Sequence, residues 1–241
     1  MSDTAHRNWA GKYEQFVIPG QEDIARQALT HDFQSVLDVG AGNLCASAAF
    51  VRAGKTVSAT VNNSAHYDVH ALRDDITFHE NVQIENFKLP GQTFDAVWCA
   101  HVVEHTMNPG LAIQSMRDLL NDDGVLFLSV PPFKDQVVGG HLSVGWNLGI
   151  LIYFLLMSGF DVKNGSFVWH GYNVTAFVRK APKQKFNVMG DAGDIEKLRP
   201  YFPDALNAKQ GFEGRIENIN WDWQFAPRLK HPPHRYIPQY R

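Results

Sequence analysis

Three short clusters in the sequence contain residue types that bind ligands or move protons. The first is the turn Asp38-Val39-Gly40-Ala41-Gly42, the second is His101-Val102-Val103-Glu104-His105, and the third is a segment that ends in Gly139-Gly140-His141. Glycine lets the backbone approach a ligand closely, and imidazole is the usual general base near neutral pH. These residue types indicate a ligand site with acid–base chemistry.

The glycine turn lies between a predicted strand and a predicted helix. A dinucleotide-binding fingerprint requires a third glycine, which would fall at Cys45, and that glycine is absent. The acidic residue Asp38 just before the glycines would also repel a pyrophosphate. A carboxylate at this position suits a cationic or amine-bearing ligand instead.

The second cluster matches the His-x-x-Glu-His pattern of inverted zinc peptidases. On a helix, His101 and His105 would share one face and could grip a metal ion. However, the cluster directly follows a predicted strand, and Asn108-Pro109 begins a new helix, which leaves room for a single turn. We therefore expect no metal site, interpret Glu104 and His105 as residues that orient the loop, and keep a zinc hydrolase as a minor alternative.

The elements that position these clusters alternate along the chain. Strands are predicted at 35–40, 55–62, within 76–84, at 94–101 and at 125–131, and helices at 21–30, 43–54, 110–120 and 144–158. Apolar runs separated by helices are typical of a parallel sheet that is covered on both faces. The predicted fold is an α/β, doubly wound (Rossmann-like), mostly parallel sheet, followed by an antiparallel strand pair around Gly171. Ligands bind at the carboxyl ends of the strands in such sheets, and all three clusters lie there.

The segments VLDVGAGN, FDAVWCAHVVEH and LLNDDGVLFLSVPP, in this order, resemble the class I S-adenosylmethionine-dependent methyltransferases of the type 11 kind. The resemblance covers roughly residues 34–180. It implies S-adenosylmethionine as the cofactor. The cofactor-binding residues that it implies are Asp38, Gly40, Ala41, Gly42, Asn62 (or Asn63), Glu85, Asn86, Ala100 and His101.

Two positions depart from that family pattern. Leu44 stands where the family usually has a small residue, which predicts a narrower pocket, and Asn62 stands where it usually has an acidic one. An amide oxygen accepts hydrogen bonds less strongly than a carboxylate, so we expect weaker cofactor binding or compensation nearby. A catalytically impaired cofactor-binding protein of the same fold is therefore an alternative.

The third cluster follows the fifth predicted strand, where the resemblance implies that the transferred methyl group points. A hydroxyl acceptor must lose its proton, whereas an amine acceptor need only be neutral. We therefore predict O-methylation of a small-molecule or glycan acceptor, with His141 as general base and His105 as a second catalytic candidate. Asp135 and His170 are further candidates for the base. Aromatic residues that could form a platform for a ring are Tyr13, Trp146, Trp169, Trp221 and Trp223.

Composition limits the class of protein. The chain has 241 residues, of which 44% are hydrophobic and 20% charged, and its net charge is −3, so no nucleic-acid partner is expected. The start of the sequence lacks the apolar core of a signal peptide, and its longest apolar run, residues 148–157, is too short to span a membrane. We predict a cytoplasmic protein with a methyltransferase domain at 1–182, including an N-terminal helical cap, and an extension at 183–241 that acts as a lid or specificity segment.

Overall fold

The computed structural model describes residues 16–61, 74–142, 145–182, 184–191 and 193–222. In chain order its helices and strands are α1 (Gln21–Ala28), β1 (Ser35–Val39), α2 (Cys45–Arg52), β2 (Thr56–Val61), β3 (Ile76–Glu80), β4 (Phe94–Ala100), α3 (Pro109–Asp118), β5 (Leu120–Val130), α4 (Leu148–Met157), β6 (Phe160–His170), β7 (Asn173–Lys180), α5 (Gly193–Leu198) and β8 (Asn218–Ile219). Within the described ranges, no helix is both long enough and apolar enough to cross a membrane.

The described strands form one sheet in the order β3-β2-β1-β4-β5-β7-β6-β8. Strands β1 to β5 pair in parallel, and β7, β6 and β8 pair antiparallel. From β1 the chain builds outward to β2 and β3 on one side, and it then returns to add β4 and β5 on the other. The change of direction beside β1 is the switch point at which open α/β sheets bind ligands. The predicted fold class is confirmed.

Both faces of the sheet are covered by helices, which explains why the strands are continuously apolar. Along β4, Val97 packs with residues of α3 and α4, while Trp98 packs with residues of α1 and α2. Each large side chain buried in this way contributes about 1.5–3 kcal/mol relative to exposure. A strand that is buried on both faces therefore does not alternate between apolar and polar residues.

Two local boundaries differ from the sequence predictions. The helix predicted at 43–54 is α2, which begins at Cys45 with Leu44 (φ 62°) in its N-cap position. Leu44 is fully buried, so packing of its side chain decides the local backbone. The strand predicted at 125–131 is β5, which begins earlier, at Leu120. Its first residues form a bulged start, with the register shifting between β4 and β5 and Asp123 at φ 61°.

The described part of the extension packs onto the rest of the protein. Leu198 and Phe202 are buried in the cluster that contains α4, and Ile219 of β8 pairs with Phe167 of β6. Trp221 packs against Phe177 with ring centroids 4.7 Å apart. The domain boundary at residue 182, the lid role and the cytoplasmic location stay predictions, and Tyr13 and Trp223 lie outside the described residues.

A buried carboxyl group joins β1 to α2. Asp38 is 2% exposed, and the Ser47 hydroxyl donates a hydrogen bond of 2.6 Å to its Oδ2. Burial raises the pKa of Asp38 to about 7, and the hydrogen bond from Ser47 opposes the rise. The unfolded chain releases this proton near pH 4, whereas the folded chain retains it to near neutrality.

This difference predicts the sign of a pH dependence. Asp38 contributes stability that is fully present below about pH 4 and is lost as the pH rises to about 7. In chemical denaturation at a series of pH values, the free energy of unfolding of the wild type should therefore fall relative to that of Asp38→Asn across this window, and then level off. A constant difference would contradict the prediction.

Asp95→Asn is a matched control, because the pH dependence of the stability that Asp95 provides has the opposite sign. Backbone N–H groups of Ser35 and Gln34 hydrogen-bond to the Asp95 carboxylate, and the first of these bonds is the main reason that its pKa is lowered. The stability that Asp95 provides should be present above its unfolded-state pKa and be lost as the pH falls through the lower, folded-state value.

Candidate active site

The parallel pairing brings three connecting segments to one edge of the sheet. Val39 at the end of β1 lies opposite Cys99 of β4, and Ala100 at the end of β4 lies opposite Ser129 of β5. The glycine turn follows β1 and the β4 loop (residues 101–105) follows β4. The β5 loop follows β5 and is defined here as residues 131–142 together with Gly145 and Trp146. The structure therefore collects all three predicted clusters at this edge.

The glycine turn forms an open cradle that is tied to β2. The Gly40 N–H donates to Thr60 Oγ1 at 2.7 Å, and the Ala41 N–H donates to the Thr60 carbonyl at 3.0 Å. A Cβ on Gly40 (φ 66°) would lie 2.4 Å from a methyl group of Val102, whereas a Cβ on Gly42 (φ 50°) would approach nothing closer than 3.9 Å. The first glycine admits the neighbouring loop, and the second leaves space for a ligand.

The cradle fits the methionine part of S-adenosylmethionine, because the open space beside Gly42 lets a ligand approach the backbone closely. The prediction that Leu44 narrows the cofactor pocket is wrong. That side chain is fully buried in the core beneath α2, so it does not enter the cradle.

The other predicted cofactor residues have different environments. Asn62 and Asn63 lie outside the described residues. One carboxylate oxygen of Glu85 accepts hydrogen bonds from the N–H groups of Met107 at 3.0 Å and Asn108 at 3.3 Å, and so holds the segment that leads into α3. Contacts of Glu85, Asn86 and Ala100 with the cofactor stay predictions.

The His-x-x-Glu-His cluster forms a single turn, as its sequence context predicts. Residues Val103–His105 are one turn of 3₁₀ helix, and His101 precedes it with a positive φ of 58°. Within this turn the Glu104 carboxylate is 1% exposed. Its Oε1 lies 3.3 Å from His101 Nδ1 and 3.9 Å from His105 Nε2. The two histidines thus face one buried carboxylate.

Hydrogen bonds join the β4 loop to the β5 loop. His105 Nδ1 donates to the Gly140 carbonyl at 2.7 Å, and the Leu142 N–H donates to the Glu104 carbonyl at 2.7 Å. The His105 and His141 rings then meet edge to face, with centroids 5.2 Å apart. The structure therefore brings the two predicted catalytic histidines into contact.

A cavity of about 240 Å³ opens between these loops. Its lining includes Glu104 and His141, and the other residues that line it are Pro131, Pro132, Phe133, Lys134, Asp135, Gln136, Val137, Val138, Leu142, Gly145, Trp146 and Tyr172. Burial lowers the pKa of His141 below its usual value, and the Glu104 carboxylate opposes that shift. At neutral pH His141 therefore presents a neutral imidazole at the cavity.

Sequence reasoning missed Tyr172 and Asn173. Tyr172 stacks on His101 with an interplanar angle of 12°, and the Lys134 ammonium lies 4.5 Å from the centre of the Tyr172 ring. Asn173 Oδ1 lies 2.9 Å from His101 Nε2. These residues reach the site because β7 pairs with β5, and the only signal in the sequence was the turn at Gly171.

Among the predicted aromatic residues, Trp146 lines the cavity and its buried indole N–H has no hydrogen-bond partner in the described part of the chain. Of the alternative bases, Asp135 lines the cavity. His170 is buried, its Nε2 lies 3.1 Å from Oδ2 of Asp23 in α1, and it does not line the cavity. The cavity thus combines imidazole, carboxylate and aromatic groups.

Comparison with known proteins assigns the chain to a family. A family described as "Methyltransferase domain" matches residues 10–161. Ubiquinone biosynthesis O-methyltransferases of Haemophilus ducreyi and Actinobacillus pleuropneumoniae are 33% and 36% identical over 105 and 106 residues. Each alignment covers 40% of this chain, and the chain spans 44% and 45% of the length of these curated relatives.

Solved structures agree on the fold. CalS10 of Micromonospora echinaspora, an amino pentose methyltransferase solved with S-adenosylmethionine bound, superposes with a TM-score of 0.53 at 18% identity. The superposition covers 66% of this chain and 89% of CalS10. Together with the family match, this places the chain among the class I methyltransferases, the family that uses S-adenosylmethionine.

Proposed function

We propose that this protein transfers the methyl group of S-adenosylmethionine to a hydroxyl oxygen of a small-molecule acceptor bound in the cavity between the β4 and β5 loops. The cofactor supplies an electrophilic methyl carbon: a C–O bond forms, the C–S bond breaks, and its electron pair stays on sulfur. The protein must hold the acceptor in line with that methyl group and promote loss of the hydroxyl proton.

The observation that carries this proposal is the contact of His105 with His141, since His141 lines the cavity together with Glu104 and His105 lies beside the Glu104 carboxylate. An amine acceptor that is already neutral needs no such group. A hydroxyl is a poor nucleophile until its proton leaves, and two imidazoles next to a buried carboxylate suit that step. The curated relatives are named as O-methyltransferases, which supports the same acceptor atom.

The cavity also limits the acceptor. Its volume of about 240 Å³ suits one ring with its substituents. Tyr172 and Trp146 contribute aromatic rings to its lining, and among the described residues the buried Trp146 indole N–H has no hydrogen-bond partner. We propose a hydroxylated ring, phenolic or sugar, as the reacting part of the acceptor, and a glycan is the larger form of the same chemistry.

Replacement of Gly42 tests the cofactor cradle. Gly42→Leu should weaken S-adenosylhomocysteine binding at least about tenfold, because the new side chain would fill the open space beside the turn. Gly42→Ala is the matched control for backbone strain at positive φ, and it should lose less affinity. Calorimetry on the folded variants measures both, and equal affinity of Gly42→Leu and the wild type would rule out this cradle.

Replacement of His141 tests the catalytic cluster. His141→Ala should lower kcat by about 10²–10⁴-fold with little change in S-adenosylhomocysteine affinity, because hydroxyl activation is lost and the cradle is intact. His31→Gln is the control: burial lowers the pKa of this histidine too, but its ring packs against Phe127 and Phe177 and it does not line the cavity. Near-normal turnover of His141→Ala would show that His141 is only structural.

The acceptor atom is tested by a labelling screen. We expect the protein to transfer a labelled methyl group to phenols, catechols or sugar hydroxyls, and mass spectrometry of the product should show an added methylene on oxygen. Transfer to an amine would overturn O-methylation. Tight S-adenosylhomocysteine binding with no transfer to any acceptor would favour the catalytically impaired alternative.

A further inference from the structure

Glu104 has a buried carboxylate whose oxygens accept no hydrogen bond from the described residues. It is 1% exposed, and in the described part of the chain neither of its two side-chain oxygens has a hydrogen-bond partner. An unpaired charge in such a position costs several kcal/mol, so a native fold keeps one only where a positive partner is supplied. The groups nearest to Glu104 show what that partner is.

The hydrogen bonds of His101 and His105 determine which ring nitrogens carry protons. Asn173 donates its amide hydrogens to the carbonyls of Pro19 and His170, so its Oδ1 accepts from His101 Nε2. The Gly140 carbonyl can only accept, so His105 Nδ1 is its donor. In the neutral rings, His101 Nδ1 and His105 Nε2 then carry no proton, and these two atoms lie 3.3 and 3.9 Å from Glu104 Oε1.

His141 completes a set of three possible metal ligands with Glu104 and His105. One ligand atom from each of Glu104, His105 and His141 lies within 4.8 Å of the others. Two ligands on one zinc-like ion, each bound at about 2.0–2.2 Å, lie up to about 4 Å apart, so small side-chain rotations would close the set. A cation bound among these three ligand atoms would supply the positive partner that the buried Glu104 carboxylate requires.

We propose that Glu104, His105 and His141 bind a divalent transition-metal ion at the edge of the cavity. Two imidazoles with one carboxylate are ligands for zinc-like ions rather than for calcium or magnesium. Three protein ligands leave at least one coordination position open, and Glu104 and His141 both line the cavity. From the sequence we expected no metal because residues 101–105 have room for a single turn only, and the third ligand, His141, lies 36 residues beyond His105.

The role of the ion rests on the proposed function and specifies its activating group. The acceptor hydroxyl occupies the open position and releases its proton to solvent, because a bound dication lowers the pKa of a coordinated hydroxyl by many units, as it does for water. The resulting oxyanion is the nucleophile for the methyl carbon. His141 then acts as a ligand, and the proton does not pass to its ring.

Cobalt binding tests the site without any acceptor. The full-length, tag-free protein is stripped with a chelator and titrated with Co²⁺, whose visible absorption reports nitrogen and oxygen ligands. We expect one ion per chain, and at least about 100-fold weaker binding in His105→Ala and in His141→Ala, since even residues that only support ligands change affinity 10–100-fold. His31→Gln, which removes a histidine that packs against Phe127 and Phe177 in the core, should bind as the wild type does. Equal binding by all four proteins, or none by the wild type, would overturn the site.

Glu104→Gln tests the carboxylate as a metal ligand with minimal change of shape. Thermal unfolding and S-adenosylhomocysteine calorimetry show whether each variant is folded. Turnover then separates the two proposals. Loss of at least tenfold in kcat after chelation, restored by Zn²⁺ or Co²⁺, supports the role of the ion. Full turnover of the metal-free protein overturns that role and leaves O-methylation with His141 as the direct base. Stoichiometric binding with no acceptor methylated supports the site and refutes the proposed function.

Discussion

Parallel pairing of β4 with β5 is the constraint on which the rest of the site depends. Because Ala100 lies opposite Ser129, the chain leaves both strands at the same edge and at the same level. The β4 and β5 loops are then close enough for main-chain and side-chain hydrogen bonds between them. The antiparallel partner β7 begins beside the end of β5 and adds Tyr172 to the same place. A slip in this register would separate His105 from His141.

Two buried carboxyl groups near this edge differ in how they are satisfied. Asp38 has a hydroxyl donor, Ser47, at 2.6 Å, and burial raises its pKa, so the fold can keep the group protonated. Glu104 has imidazole nitrogens around it and no hydrogen bond to its oxygens in the described residues. Satisfied buried polar groups stabilise a fold, whereas an unsatisfied one identifies a place where the fold tolerates a cost for its function.

Strain is found in the same loop. His101 adopts a left-handed backbone conformation, with φ at 58°, which is uncommon for residues other than glycine. Its N–H donates to the Ser129 carbonyl at 2.9 Å, and its ring is held between Asn173 and Tyr172. These contacts determine a conformation that the local sequence alone would not favour. Backbone strain of this kind is concentrated at functional sites, where the surrounding structure maintains it.

Much of the fold was determined by the sequence by itself. Apolar runs without alternation predicted buried parallel strands, and Pro109 marked the start of α3. The order of three segments predicted the methyltransferase family, because each segment carries a strand end and its loop. Local patterns suffice for these features because strand and helix preferences act over a few residues.

The tertiary structure decided which residues distant in the sequence are in contact. The expected narrowing of the cradle failed because Leu44 turns into the core, and no local pattern distinguishes a leucine that lines a pocket from one that packs beneath a helix. The contact of His105 with His141, the position of Tyr172 and the burial of Glu104 depend on strand register between segments 36 to 72 residues apart. Long-range pairing sets those distances, and a single sequence contains no direct record of it.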